Sequence, residues 1–482
     1  MFFVSSLEKR WLNEFRYCIG YNYFAHFTRC FHVKIMDDQN KTLEAKSKEE
    51  LVSQIQQLQA HVTQLKNIIA RDRAEGKAKE RRKQQRPFDF TKYNTRHVAL
   101  KIAYLGWDYH GFAVQEDTDK TIEAALFDAL IKTRLIESRA TSCYHRCGRT
   151  DKGVSALGQV ISIDLRTNLL EGVGVKVREN GTAHLRPGDK VTEIRYVHIL
   201  NKVLPPELRV LAWTPVDPEF SARFSCLQRM YKYMFPRGDA DIQLMNEAAG
   251  KLIGEHDYRN LCKMDVGNGV VNYIRRIIST QVKPLDSRLD GYQMCELTVV
   301  GQAFLWHQIR CIVAVLLLIG QGKERVEIID ELLDVERNPR KPQYTMASEI
   351  PLILYDCDYE GLNWHYETDC HEETIKHLQT LWTEQTVKST MLKRMLDYLE
   401  KVKITESQPD GTVREQPWQQ YKTVQHQCSS LVPGNKPRTY KPLLEREVCE
   451  SLEDRINHYV KRRKIEIKTL PAEMGTEESE DS

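Results

Sequence analysis

The chain has 482 residues, of which 41% are hydrophobic, and its formal net charge is +3 at pH 7. The hydrophobic content is ample for a buried core, and the length suggests two or three structural units. The small net charge excludes a global polycation, so any contact with nucleic acid has to come from local clusters of basic residues. The apolar run IVAVLLLIG at 312–320 is far shorter than the ~20 residues that cross a bilayer, so it predicts a buried helix and no contact with a membrane.

The 12 cysteines are scattered and form no C-x-x-C pair. Cys143, His145 and Cys147 lie close together in sequence, but no second pair of ligands follows at the spacing of a zinc finger. We therefore expect reduced thiols, several of them in the core, and no metal site. Reduced thiols favour the nucleus and cytoplasm as the compartments of the protein.

Residues 1–40 are an extension rich in aromatic side chains, mildly basic and without a clear period. The segment lacks the long apolar stretch of a secretory signal peptide. Two interpretations stay open at this point. In the first, the segment is a mitochondrial presequence and directs a mitochondrial form of the protein. In the second, translation has an alternative start at Met36.

Residues 41–76 carry apolar side chains at alternating steps of four and three. This pattern predicts a helix that pairs as a parallel two-stranded coiled coil, and the alternative is a lone amphipathic helix packed on the body. The basic stretch KAKERRKQQR then lies in a linker, 77–91, which is either solvated or in contact with RNA phosphates. The apolar positions are Leu51, Ile55, Leu58, Val62, Leu65 and Ile69.

From Arg96 onward the pattern is that of a folded domain. A strand leads into an aromatic, glycine-punctuated loop, and the helix at 121–137 has Thr121 as its expected N-cap. The segment QVISIDL alternates apolar and polar residues, as do MYKYMF and, more weakly, YQMCELTVVG. A helix is expected from about Phe304 to Gly320.

These elements predict an α+β fold of two related lobes, with mainly antiparallel sheets flanked by helices and a central cleft for RNA. The expected lobes are 92–226 and 227–360. Residues 361–482 are expected to form a C-terminal extension with helical pieces and a disordered acidic tail, EESEDS.

Three residues stand out chemically. Asp151 in GRTDKG is, on its own, best read as a turn former. Tyr231 in RMYKYMF is either part of a core-facing aromatic row or a ring that lines a base pocket. Arg310 adjoins a nearly continuous apolar helix, where an unpaired cation is costly, so some carboxylate elsewhere in the chain should meet it.

Three long, well-separated blocks resemble the TruA-type pseudouridine synthases: CGRTDKGVSA, FSARFSCLQRMYKY and GQAFLWHQIRCIVAVLLLIGQGK. The wider text, including NLCKMD and KPQYTMASEIPLILYDC, is similar to eukaryotic members of this family that act at positions 38 and 39 of the tRNA anticodon stem-loop. The resemblance covers roughly 88–358 and parts of the C-terminal extension.

The resemblance implies an isomerase that converts uridine to pseudouridine in tRNA and needs no cofactor. It assigns Asp151 as the nucleophile, Tyr231 as the pocket tyrosine, Arg310 as the partner of the catalytic carboxylate and Arg149 as a group that holds the flipped nucleotide. It also implies a homodimer. Lys152 stands where many relatives have a small residue, which changes the local charge. Two rival hypotheses are a family member acting on other uridines and a catalytically silent tRNA-binding or folding module.

Overall fold

The computed structural model describes residues 88–463 apart from 117, 180, 288–290, 408–412, 418–426, 429 and 435–438. The N-terminal extension, the predicted coiled coil at 41–76, nearly all of the basic linker and the acidic tail lie outside the described residues. Those predictions therefore stay predictions.

A ten-stranded, mostly antiparallel sheet is the centre of the fold. Its order is β4-β1-β3-β10-β6-β9-β8-β7, with β2 also paired to β3 and β5 to β1. The strands are β1 Asn94–Tyr104, β2 His145–Arg146, β3 Ser155–Thr167, β4 Val175–Lys176, β5 Leu208–Pro215, β6 Gln228–Pro236, β7 Gly254–Asp257, β8 Ile274–Pro284, β9 Met294–Gly301 and β10 Leu352–Asp358. A separate hairpin contains β11 Lys403–Ser407 and β12 Val413–Pro417.

The described α-helices pack on this sheet or extend beyond it. They are α1 Ile122–Lys132, α2 Tyr196–Asn201, α3 Ile242–Gly250, α4 Gln308–Gly320, α5 Ile328–Leu333, α6 Thr368–Leu399 and α7 Leu452–Arg463. The Thr121 hydroxyl accepts a hydrogen bond from the Ala124 amide, which confirms the predicted N-cap of α1. No described helix combines the length and the apolar character that a membrane crossing needs.

The mixed α/β class is confirmed. The strands of the two expected lobes lie in one continuous ten-stranded sheet, to which the β11–β12 hairpin does not belong. The joint is β10, which pairs antiparallel with β6 and parallel with β3. Two hydrophobic clusters lie on this sheet. One is built around α4, β6, β8 and β9, and the other around α1, β1 and β3. Tyr231 packs against both clusters, so it stands where the two halves of the sheet meet.

Two predicted elements differ in detail from the structure. The alternation in β3 predicts a polar face containing Ser162 and Asp164, yet both side chains are buried. The Asp164 carboxylate is satisfied in the interior, where it accepts hydrogen bonds from His97 and Lys176. The predicted helix from Phe304 begins only at Gln308, because His307 has a left-handed backbone (φ 60°) that stops the helix from extending further toward the N-terminus.

The C-terminal extension is partly built into the body. Cys428, Leu443 and Leu452 are buried members of the cluster around α4. Helix α6 begins beside α2, where Arg195 pairs with both Glu367 and Asp369. These described segments are therefore structural parts of the fold.

Gly158 provides a test of the joint between β3 and β10. A Cβ atom at this position would lie 2.6 Å from the Asp356 Cα atom and 2.7 Å from the Tyr355 carbonyl oxygen, so the strands would have to separate. We expect Gly158→Ala to lower the free energy of unfolding by ~1–3 kcal/mol, measured by urea titration. The matched control is Gly250→Ala at the end of α3, where an added Cβ meets no heavy atom within 4 Å. An equal effect of both substitutions would show that the strand contact is not tight.

Candidate active site

Asp151 lies in a loop that the surrounding structure holds in place. The Gln159 side chain donates to the Gly148 carbonyl oxygen (3.0 Å) and accepts from the Gly148 amide (3.3 Å). The Thr150 carbonyl oxygen accepts from the Phe112 amide (3.1 Å), and the Thr150 and Tyr104 hydroxyls are 2.8 Å apart. After Asp151, the Gly153 amide donates to the Tyr109 carbonyl oxygen (3.1 Å), so hydrogen bonds on both sides of Asp151 set the position of its backbone.

The Asp151 carboxyl group is half-buried, with 23% of its side chain exposed. Burial raises its pKa to about 6, because a charged carboxylate loses hydration in a partly apolar site. The cation of Arg310 and a hydrogen bond from the Trp306 side chain oppose this rise, as does Lys263. Asp151 is therefore mostly ionised at neutral pH, yet more basic than an ordinary aspartate.

His307 is the residue that approaches Asp151 from α4. Its Nε2 atom lies 3.5 Å from Asp151 Oδ2. Burial lowers the pKa of His307 to about 3, and the cation of Arg310 lowers it further, so the imidazole is neutral. Its buried Nδ1 atom has no hydrogen-bond partner among the described residues, which favours the tautomer whose Nε2–H points at Asp151. The imidazole can thus orient the carboxylate without neutralising it.

Arg310 is buried, with 8% of its side chain exposed, and its ion-pair partner in the described chain is Glu349 rather than Asp151. Arg310 Nη2 lies 2.7 Å from Glu349 Oε2, and its Nε atom donates to the Ala347 carbonyl oxygen, also at 2.7 Å. The buried Arg310 therefore meets a carboxylate, as the apolar helix requires, and that carboxylate is Glu349. Arg310 acts on Asp151 through its electrostatic field.

Gly153 lets Glu349 approach the loop. Its φ is +78°, and a Cβ at this position would lie 2.7 Å from the Glu349 Cγ atom. A side chain at 153 would therefore be strained and would also displace Glu349. This glycine, two residues after Asp151, is needed for the Arg310–Glu349 ion pair to lie against the loop that carries Asp151.

Tyr231 lies in β6 next to the same loop. Its ring packs edge-on against Phe304, with centroids 5.1 Å apart, and its hydroxyl approaches Gly148. Burial holds the pKa of Tyr231 well above 10, so its hydroxyl stays protonated at neutral pH. A packing role with hydrogen-bond donation fits this ring better than proton abstraction.

Arg149 lies on the exposed side of the loop. Partial burial and the neighbouring cations Arg146 and Arg223 lower its pKa, so three positive charges lie close together here. Two cations also lie over exposed aromatic rings. Lys263 lies over the Trp306 ring, 4.0 Å from its centroid, and Arg223 lies 5.3 Å from that of Phe224. Such pairs suit RNA, where bases stack and phosphates bind cations.

A family model described as tRNA pseudouridine synthase matches residues 248–360. A relative from Bos taurus named tRNA pseudouridine(38/39) synthase is 51% identical over 447 residues, which cover 90% of this chain and 92% of the relative. A relative of the same name from Homo sapiens is 50% identical over 463 residues, covering 92% of this chain and 93% of its own length.

The chain belongs to the TruA family of tRNA pseudouridine synthases. Members of this family are isomerases. A more distant relative from Saccharomyces cerevisiae, also named tRNA pseudouridine(38/39) synthase, is 42% identical over 300 residues, 61% of this chain and 64% of the relative.

The structure places Arg310 within electrostatic range of Asp151, Tyr231 beside Gly148 of the same loop, and Arg149 on the exposed side of that loop. Sequence reasoning missed two members of the site, His307 and Glu349. His307 had only a weak local signal, its place three residues before Arg310, because its left-handed backbone lies outside α4. Glu349 had none, since the contact joins residues 39 positions apart that only the fold brings together.

The raised pKa of Asp151 gives a stability prediction with a definite sign. A carboxyl whose pKa is higher in the folded protein than in the unfolded chain is destabilising when ionised, so the penalty is present at pH 7.5 and disappears as pH falls through 6 toward 4. We expect Asp151→Asn to raise the free energy of unfolding by roughly 1–3 kcal/mol at pH 7.5 and by much less at pH 4. Urea titrations at the two pH values measure this.

The control for that experiment is Asp217→Asn, at an exposed aspartate. Its effect should be small at both pH values. Destabilisation by Asp151→Asn at pH 7.5 would contradict the raised pKa.

Arg310 and Glu349 should move the acidic limb of the activity profile in opposite directions. Arg310 lowers the pKa of Asp151 and Glu349 raises it. We therefore expect the limb to move to higher pH in Arg310→Gln and to lower pH in Glu349→Gln, measured as single-turnover rates on folded protein. Arg310→Gln should also cost ~3–5 kcal/mol of stability, since it breaks a buried ion pair. Shifts in the same direction would contradict the assigned electrostatics.

Proposed function

We propose that this chain isomerises uridine to pseudouridine at positions 38 and 39 of the tRNA anticodon stem-loop, with Asp151 as the nucleophile. The observation that carries the proposal is the half-buried Asp151 between the neutral His307 and the Arg310 cation. The positions come from the names of the relatives that are about half identical over nearly the whole chain.

The reaction breaks the bond between ribose and the ring nitrogen, turns the uracil and rejoins it through carbon. A nucleophile for this task has to be ionised at neutral pH, attack, and then leave. A carboxylate with a pKa of about 6 meets the first two demands, because it is charged at pH 7 and more nucleophilic than an ordinary aspartate. Arg310 stabilises the charge on Asp151 before attack and again when the carboxylate leaves.

The target base lies in a stem or at its edge, so it has to leave the stack to reach Asp151. The exposed rings of Trp306 and Phe224 offer stacking surfaces, and Arg149, Arg223 and Lys263 offer contacts for phosphates. In this proposal Arg149 holds the flipped nucleotide and Tyr231 packs against the uracil.

The test uses purified chain and tRNA transcripts tritiated at uracil carbon 5. Wild type should release tritium from a transcript with uridine at 38 and 39, and a transcript with cytidine at both positions should release none. Asp151→Ala should release none from either RNA while binding tRNA with unchanged affinity. Release from the cytidine-substituted transcript would favour action on other uridines. Binding without release by the wild type would favour the silent module.

We also propose that the protein is a homodimer and that α6 contributes to the interface. The C-terminal half of α6 exposes large apolar side chains on more than one face, more than a solvated helix usually carries. The other positions bear ion pairs four residues apart, such as Glu384 with Lys388. A second copy of the helix matches both features. The exposed apolar residues are Met391, Leu392, Met395, Tyr398 and Leu399.

Sedimentation velocity tests the interface. We expect the double variant Leu392→Glu, Met395→Glu to sediment as a monomer, whereas Lys388→Ala, in the same helix, should remain dimeric. Deletion of 41–76 is the second arm, since the predicted coiled coil offers another route to pairing. A dimer that survives the α6 variant but dissociates when 41–76 is deleted would show that the predicted N-terminal helix forms the interface. The nuclear and cytoplasmic location, with a mitochondrial form as the alternative, stays a prediction.

A further inference from the structure

Three cysteines that are far apart in sequence meet beside the nucleophile loop. The sulfur atoms of Cys147, Cys226 and Cys357 all lie within 4.8 Å of one another, and those of Cys147 and Cys357 are 3.4 Å apart. Cys147 and Cys357 are buried, and Cys226 is half-buried. The sequence gives no sign of this cluster, because its members are separated by 79 and 131 residues, and we had expected isolated core thiols.

The spacing of the three sulfurs is that of metal-bound thiolates. Tetrahedral thiolates about 2.3 Å from a metal ion are ~3.8 Å apart, and a trigonal arrangement gives nearly the same separation. The observed range, 3.4 Å to within 4.8 Å, needs only small side-chain rotations to reach this geometry. The half-buried Cys226 provides a path for an ion to enter.

Shared hydrogen bonds set the pKa values of the three thiols apart. Hydrogen bonds from Cys226 and Cys357 hold the pKa of the Cys147 thiol well below its usual range, and the Arg229 cation adds to this effect. The same contacts raise the pKa of Cys226 to about 11 and hold that of Cys357 well above its usual range. The thiolate is the form that binds metals, so the protons that the thiols hold have to leave when an ion binds.

We propose that Cys147, Cys226 and Cys357 form a three-thiolate site for a soft cation, and that Cu(I) is the ion it fits best. Thiolates select soft ions such as Cu(I) and Zn(II), but structural zinc almost always takes four ligands. The described residues supply three ligands here. The neighbouring Tyr359 hydroxyl is engaged, since it donates to the Ala222 carbonyl oxygen at 2.6 Å. A three-coordinate ion matches this donor set.

Binding is balanced in charge and protons. Cu(I) binds three thiolates, every proton that the thiols hold leaves to solvent, and the product carries a net charge of −2 that the nearby Arg229 cation partly offsets. Affinity should therefore rise with pH between 6 and 8, because binding releases protons.

The site ties together three segments of the catalytic centre. Cys147 stands four residues before Asp151, Cys226 lies just before β6 with Tyr231, and Cys357 is in β10 beside β6. A bound ion would fix the nucleophile loop to both strands.

The first test is anaerobic titration of the full chain with Cu(I), in competition with bicinchoninate. We expect one equivalent per chain to be withdrawn from the chelator, and X-ray absorption to show three sulfur neighbours around copper. Cys226→Ser should weaken binding at least 100-fold, as should Cys147→Ser. The matched control is Cys311→Ser, at a buried cysteine outside the cluster, which should bind like the wild type. Unchanged binding in the Cys147 and Cys226 variants would overturn the proposal, as would tighter competition by Zn(II) than by Cu(I).

A second measurement needs no variant. One equivalent of Cu(I) added to wild type should protect Cys147, Cys226 and Cys357 from alkylation by N-ethylmaleimide under partial denaturation, read by peptide mass spectrometry. Cys262 and Cys311 serve as internal controls and should react at the same rate with and without the ion. Equal protection of all five cysteines, or protection of none, would contradict a site at the cluster.

Discussion

The cost of holding a carboxylate partly out of water organises this catalytic centre. Asp151 ends a hydrogen-bonded loop in a half-buried site where burial raises its pKa to about 6. The cation of Arg310 lowers that pKa and keeps the group ionised near neutrality. Arg310 is itself buried, so it needs Glu349 as a direct partner at 2.7 Å. The site therefore depends on a series of charged groups. Glu349 pairs directly with Arg310, whereas Arg310 acts on Asp151 only through its electrostatic field.

The need to compensate these charges accounts for the meeting of β10 and α4 at the Asp151 loop. Strand β10 joins the halves of the sheet, and the segment just before it delivers Glu349 beneath the loop. Helix α4 brings Arg310, and His307 lies just before the start of this helix. The neutral imidazole of His307 contacts Asp151 without adding a second cation. A charged imidazole here would lower the pKa of Asp151 and make it a weaker nucleophile.

Sequence and structure agree where information is local. The N-cap Thr121, the alternating strand at β6 and the buried helix α4 follow from periodicity and capping. The roles of Asp151, Tyr231 and Arg310 rest on the long matching blocks and stay predictions. Burial of Asp164 could not be predicted, because the alternation in β3 does not reveal that both faces of a central strand are covered. Glu349 and the cysteine cluster could not be predicted either, because they are long-range contacts that depend on how β10 pairs.

The most direct test of the central claim is the pH dependence of the single-turnover rate of the wild-type chain on tritiated tRNA. If Asp151 is a nucleophile with a pKa raised by burial, the rate should fall to half its plateau near pH 6 as the pH is lowered, with slope one. A rate that stays at its plateau down to pH 4.5, with protein folded and tRNA bound, would contradict the account. It would mean that the reacting carboxylate titrates like an exposed aspartate.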